Sequence, residues 1–417
     1  MKDQKTTLKR SLSLPLITFY GLGNILGAGI YVLVGKVATE AGYLSPLSFF
    51  VASIIAAVSA FSYAELSSRY PVSAGEAVYV YEGFGIKELS MIVGLLMAFA
   101  GIVSSATIAH GFAGYIQVFI DVPQWLMITL MLLTLGALAS WGITQSVHVA
   151  VLLTLAEIAG LLIIIFVGID HLPQLGKISL AQLMENGSGF DSDSLLPRGM
   201  LLGVFTGAFL AFYAYIGFED MVNVAEEVND PQHTMPRAIL LCVIISTLLY
   251  SLVSLVAISV LTPEELSRSD AALASVYTAA TGREPVIISV IGVFAVINGA
   301  LIQIIMVSRL LYGMSARGWL PGYFEQIHPE TRTPLNSTIL VVVLMLLFAL
   351  LLPMVTLAEM TSYLVLTVFF LVNLALIRIK RRDPKPEGIR VFPVWLPVLG
   401  LITVVSLLLV ESVSKLL

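Results

Sequence analysis

Glu157 sits in the middle of "VAVLLTLAEIAGLLIIIFVGI" with no second charge in the window. A carboxylate among apolar residues over that length is costly to keep ionised, and such groups are functional candidates by default. It is read as a carrier of a proton, and the competing reading is a protonated, hydrogen-bonded structural acid. Glu219 and Asp220 follow a second apolar run, in "GVFTGAFLAFYAYIGFEDMVNVAEEV". His110 lies on a small-residue face, where packing or a hydrogen bond is the ordinary role. The other four histidines fall at the ends of apolar runs without metal-ligand spacing, so no metal site is expected. The stretch "GNILGAGIYVLVG" carries Gly23, Gly27, Gly29 and Gly35. Each glycine costs a helix about 1 kcal/mol against alanine, so these either admit a neighbouring helix or mark a deliberate break.

These groups must be positioned by helices in a bilayer. Of 417 residues, 58% are hydrophobic and only 12% charged, against roughly 25% charged in soluble domains. Apolar runs near 12–38, 46–66, 89–119, 124–142, 147–169, 199–225, 237–261, 286–313, 335–353, 357–378 and 393–413 are each long enough to cross roughly 30 Å of hydrocarbon. The fold class is therefore all-α and polytopic, with about eleven transmembrane helices. No soluble segment of domain size lies between them, which argues against nucleic-acid binding. One cysteine, Cys242, permits no intrachain disulfide, and nothing indicates a disulfide-linked subunit.

The distribution of Lys and Arg sets the orientation. With residues 1–11 as a cytoplasmic N-terminal tail, only Lys36, Lys177, Arg198, Arg268, Arg283 and Lys415 of the 22 basic residues fall outside. The expected location is the cell (plasma or inner) membrane. Glycine-rich interruptions fall in the first and the sixth span. Five spans apart, they belong to halves of opposite topology, as in inverted repeats, and paired interruptions point to a transport site near the bilayer midplane.

Four blocks resemble the amino acid–polyamine–organocation transporter superfamily: "GNILGAGIY", "SYAELSSRYPVSAGEAVYVYEGFG", "AYIGFEDMVNVAEEVNDPQHTMPRAI" and "SRLLYGMSARGWLP". The resemblance implies a leucine-transporter-like fold of 5+5 inverted repeats. The first repeat would cover 12–170, the second 199–380, and residues 391–417 would form an additional eleventh helix. Helices 1 and 6 would be broken around a central site. Many members have twelve spans, and this chain departs by showing eleven.

The resemblance also implies the site. Ile25, Gly27, Ala28 and Gly29 would hold a substrate carboxylate at backbone N–H groups, as a helix N-terminus does. Tyr213, Ala214 and Ile216 would offer the other side, with Ser105 and Gln303 facing the substrate. Glu157 falls where some proton-coupled members carry a lysine. Asn298 would be its partner, Glu219 a proton-sensing group, and Asp220 would point elsewhere. The function expected is secondary transport of amino acids, leaning to neutral L-amino acids, with protons as coupling ion and without a cofactor. An amino acid/polyamine exchanger or a transport-inactive sensor of the same fold stays open, as does monomer or homo-oligomer. Nothing has the clustered acids and histidines of a membrane enzyme.

Overall fold

The computed structural model describes residues 10–117, 122–177, 198–268, 271–352 and 354–414. Its helices follow the apolar runs because a spanning backbone must satisfy its own hydrogen bonds. Nine stretches among the described residues are long and apolar enough to cross a membrane, and Leu202–Tyr213 and Leu335–Leu351 are shorter apolar helices. Each of the eleven expected spans has its helix.

The first span divides into α1 (Leu14–Leu26) and α2 (Ala28–Ala41) at Gly27. Then come α3 (Ser45–Arg69), a short α4 (Gly75–Phe84), α5 (Lys87–Gln117), α6 (Gln124–Trp141) and α7 (Ile143–Gly168). The sixth span begins as α8 (Arg198–Tyr213), loses helical geometry over 214–218, and resumes as a 3-10 segment, Glu219–Glu227. After it lie α9 (Pro231–Val260), α10 (Pro263–Ser267), α11 (Ala272–Thr281), α12 (Val286–Ala316), α13 (Leu335–Leu351), α14 (Met354–Arg382) and α15 (Trp395–Ser414). The stretch 262–285 between two spans holds two short helices. A capping box starts α10: Glu265 N–H donates to Thr262 Oγ1, and Glu265 Oε2 accepts from Thr262 N–H.

Helix α12 runs through the centre, and α1, α5, α7 and the 3-10 segment all pack on it. Helices α7 and α15 keep apolar residues such as Phe166, Leu152 and Leu409 exposed, as lipid-facing surfaces require. Small residues let the crossings close: a Cβ on Gly101 of α5 would stand 2.5 Å from Val307 of α12.

Candidate substrate and coupling site

The two breaks meet each other. Gly29, in the first turn of α2, has no room for a side chain, since a Cβ there would lie 2.6 Å from Ala214 Cα. Asn24, near the end of α1, donates through Nδ2 to Gly217 O (3.1 Å) and Asp220 Oδ2 (2.5 Å). Gly217 has φ of +136° and turns its N–H onto Glu219 Oε2 at 2.9 Å. The buried Tyr250 hydroxyl of α9 lies 2.5 Å from Ile25 O and 3.0 Å from Ala214 O. With one proton and two acceptors, it bridges carbonyls that the breaks release from helical bonding. The first turn of α2 has no side-chain cap, so its N–H groups and positive dipole end suit an anion.

Beside the breaks lies a small cavity. Ser104 of α5, Ile216, Glu219 and Asp220 of the sixth span, Gln303 of α12 and Thr361 of α14 line it, with apolar residues completing the wall. Gln303 Nε2 donates to Asp220 Oδ2 at 2.7 Å, so Asp220 joins α1 to α12 through two amides. Glu219 Oε1 and Gln303 Oε1 are buried without a hydrogen-bond partner among the described residues. Those open acceptors suit a ligand that brings donors.

Glu157 forms a second buried cluster. Asn298 Nδ2 of α12 donates to Glu157 Oε1 (2.7 Å) and Thr154 Oγ1 (3.0 Å). Thr154 Oγ1 also lies 3.1 Å from Phe19 O of α1. Gly23 faces the same amide, since a Cβ on it would stand 2.4 Å from Asn298 Nδ2. Tyr31 of α2 donates to the Glu157 carbonyl at 2.7 Å. Thus both halves of the broken first span touch the cluster. Among the described residues Glu157 Oε2 has no hydrogen-bond partner.

Residues 12–415 match the family model described as amino acid permease. The chain belongs to this family. The permease is 28% identical over 404 residues to the methylthioribose transporter of Bacillus subtilis, covering 92% of this chain and 84% of that one. It is 27% identical to the branched-chain amino acid permease of the same organism, covering 93% and 86%. Vacuolar cationic amino acid transporter 4 of Arabidopsis thaliana is 30% identical, but the match covers 66% of that longer chain against 93% of this one. The family lies in the amino acid–polyamine–organocation superfamily and consists of transporters, not enzymes.

In the permease, Ile216, Glu219 and Gln303 of the expected site residues line the cavity, while Ile25, Gly27, Gly29, Ser105, Tyr213 and Ala214 do not. Ala28 opens α2, and its side chain lies outside the described residues. Two readings change. Asp220 does not point away; it is the acid that carries two amide hydrogen bonds inside the cavity. In α5 the register moves by one: Ser104 lines the cavity and stands 3.3 Å from the Tyr213 hydroxyl, whereas Ser105 Oγ is buried without a partner among the described residues. Asn24 and Tyr250 were missed, since each is a single polar group in an apolar run whose partners lie far away in sequence.

At the end that carries the N-terminal segment, several polar contacts close the bundle below the cavity. Ser11 and Leu12 N–H donate to Glu227 O (2.9 and 3.0 Å), and Glu227 pairs with the buried Arg309 of α12 at 3.2 Å. Asn223 Nδ2 donates to Glu76 Oε2 of α4 at 3.0 Å, and Ser73 N–H donates to Glu226 Oε1 at 3.0 Å. Burial pushes the Glu76 carboxyl from 4.5 up to about 8. A carboxyl raised in this way holds its proton more tightly folded than unfolded. Its contribution to stability is full below about pH 4.5 and is lost as the pH rises to about 8. Glu76→Gln, which cannot ionise, is expected to flatten the fall in melting temperature over that window. Melts of the purified protein across it check this, and an unchanged slope would place the pH dependence elsewhere.

Proposed function

We propose that this permease is a secondary active transporter of amino acids, neutral L-amino acids first, working by alternating access with protons as the coupling ion. One observation carries the reading: two helix breaks, tied to each other by Asn24 and Tyr250, stand beside a cavity lined by Ile216, Glu219, Asp220 and Gln303. A zwitterion needs donors for its carboxylate and acceptors for its ammonium, and the breaks present both. Breaks in spans one and six support inverted repeats over 12–170 and 199–380, with 391–417 as an added helix. The basic residues support a cytoplasmic N-terminus. Glu157 with Asn298, and Glu219, are the proposed coupling groups.

Neutral substrates fit because Asp220 already accepts two amide hydrogen bonds. A second reading, cationic or amine side chains, has one observation in its favour: Glu219 Oε1 and Gln303 Oε1 are acceptors left open. Competition against uptake into proteoliposomes separates the two. Alanine or leucine is expected to compete better than lysine or arginine, and the reverse order would favour the second reading. In Gln303→Ala the competition order is expected to change, because Asp220 loses a donor that fixes it in the cavity. An unchanged order would remove Gln303 from selectivity.

A further inference from the structure

Away from the site, a cavity lies between the first turns of α9 and the connector from α14 to α15. Its lining joins Gln232, His233, Arg237 and Leu240 of α9 to Arg390 and Phe392 of the connector. Three nearby acids already have partners. Glu65 takes both Arg69 and Lys380, Asp383 also takes Arg69, and Asp230 takes His233. Arg237 and Arg390 have no carboxylate at ion-pair distance among the described residues. Both are exposed, and Arg390 stacks over the Phe392 ring at 5.5 Å.

The connector is held in place. Phe392 N–H donates to the buried Glu65 Oε2 at 2.9 Å, its carbonyl accepts from Lys380 Nζ at 2.6 Å, and its ring meets Phe61 of α3 edge-on at 5.0 Å. Trp395, exposed at the start of α15, marks the level of the membrane interface, where tryptophans collect. From Leu240 an exposed apolar ridge continues along α9 through Leu241, Ile244 and Leu248 into the hydrocarbon zone.

We propose that this cavity binds an anionic glycerophospholipid of the adjacent leaflet. The phosphate would sit between the Arg237 and Arg390 guanidinium groups and an acyl chain would follow the α9 ridge. Charge complementarity selects the headgroup, because two guanidinium groups without acid partners suit a phosphate oxygen pair. The apolar ridge selects a lipid over a free anion, and basic pockets between spanning helices are known places for such headgroups. The proposal rests on the orientation given above only for naming the leaflet as cytoplasmic.

The test is a lipid titration of the purified full-length protein in detergent, read by native mass spectrometry, with phosphatidylglycerol, phosphatidylcholine or inorganic phosphate as probes. It requires no transport, so its failure is distinct from failure of the transport reading. Phosphatidylglycerol is expected to bind roughly tenfold or more tightly than phosphatidylcholine, since each basic group near the surface gives about fivefold. R237Q/R390Q is expected to lose that preference, while R381Q/K385Q, which removes the same charge outside the cavity, keeps it. The single variants R237Q and R390Q, each expected to lose about fivefold, carry the test if the double variant fails to fold. Three results would overturn the proposal: preference retained in R237Q/R390Q, equal loss in R381Q/K385Q, or displacement of the lipid by inorganic phosphate.

Discussion

Gly29→Ala is expected to abolish amino acid uptake, and Gly29→Leu to abolish substrate binding as well. Within an ordinary helix the alanine change would stabilise by about 1 kcal/mol. Here the added Cβ would stand 2.6 Å from Ala214 Cα, 2.8 Å from its Cβ and 3.1 Å from its carbonyl oxygen. Two of those atoms are backbone and cannot rotate away, so the breaks must separate. Overpacking of this kind costs about 1–3 kcal/mol. The loss of geometry matters more, because Tyr250 spans Ile25 O and Ala214 O, and Asn24 spans Gly217 and Asp220. Uptake and ligand-induced thermal shift of the purified variants measure this. Wild-type uptake in Gly29→Ala would mean that contact between the breaks does not shape the site.

The second large effect is expected at Glu157. Glu157→Gln should keep binding and exchange while losing uphill accumulation, with internal substrate no higher than external under an imposed proton gradient. The glutamine can still accept from Asn298 Nδ2 but cannot carry a proton. The Glu157 cluster touches both α1, through Thr154 to Phe19 O, and α2, through the Tyr31 hydroxyl. A proton shifts an equilibrium between two conformations only if it binds them differently. The carboxyl meets the broken helix at one remove, through Asn298 and Thr154 to α1 and through its own main chain to α2, so movement of those halves changes its surroundings. Accumulation equal to wild type would make Glu157 structural and pass the coupling role to Glu219.

Much of this arrangement was legible in the sequence, for identifiable reasons. Glycines within apolar runs pointed to the two breaks, at Gly27 in the first span and before Gly217 in the sixth. A lone acid in span five and an amide early in span eight came together as expected, since a buried carboxylate needs a donor. Asp220, expected to point elsewhere, reaches the cavity because the positive φ at Gly217 and the 3-10 turn that follows set side-chain directions the sequence does not display. The one-residue shift from Ser105 to Ser104 has a similar origin: helix register decides which of two adjacent hydroxyls faces a cavity, and adjacent serines look alike in sequence. Packing and a break are not exclusive uses of the glycines in the first span. Gly27 makes the break, while Gly23 and Gly29 admit Asn298 and Ala214 beside it. Tyr250 stayed hidden because its acceptors, Ile25 O and Ala214 O, are free only once the breaks exist.

Substrate counterflow in proteoliposomes tests the transport reading most directly. Vesicles containing the purified protein are loaded with an excess of unlabelled neutral amino acids and diluted into labelled substrate without any imposed gradient. Labelled substrate is expected to rise inside above its external level and then decay, and Gly29→Ala vesicles are expected to show no rise. Wild-type vesicles that bind the labelled amino acid yet never accumulate it would contradict transport through this site.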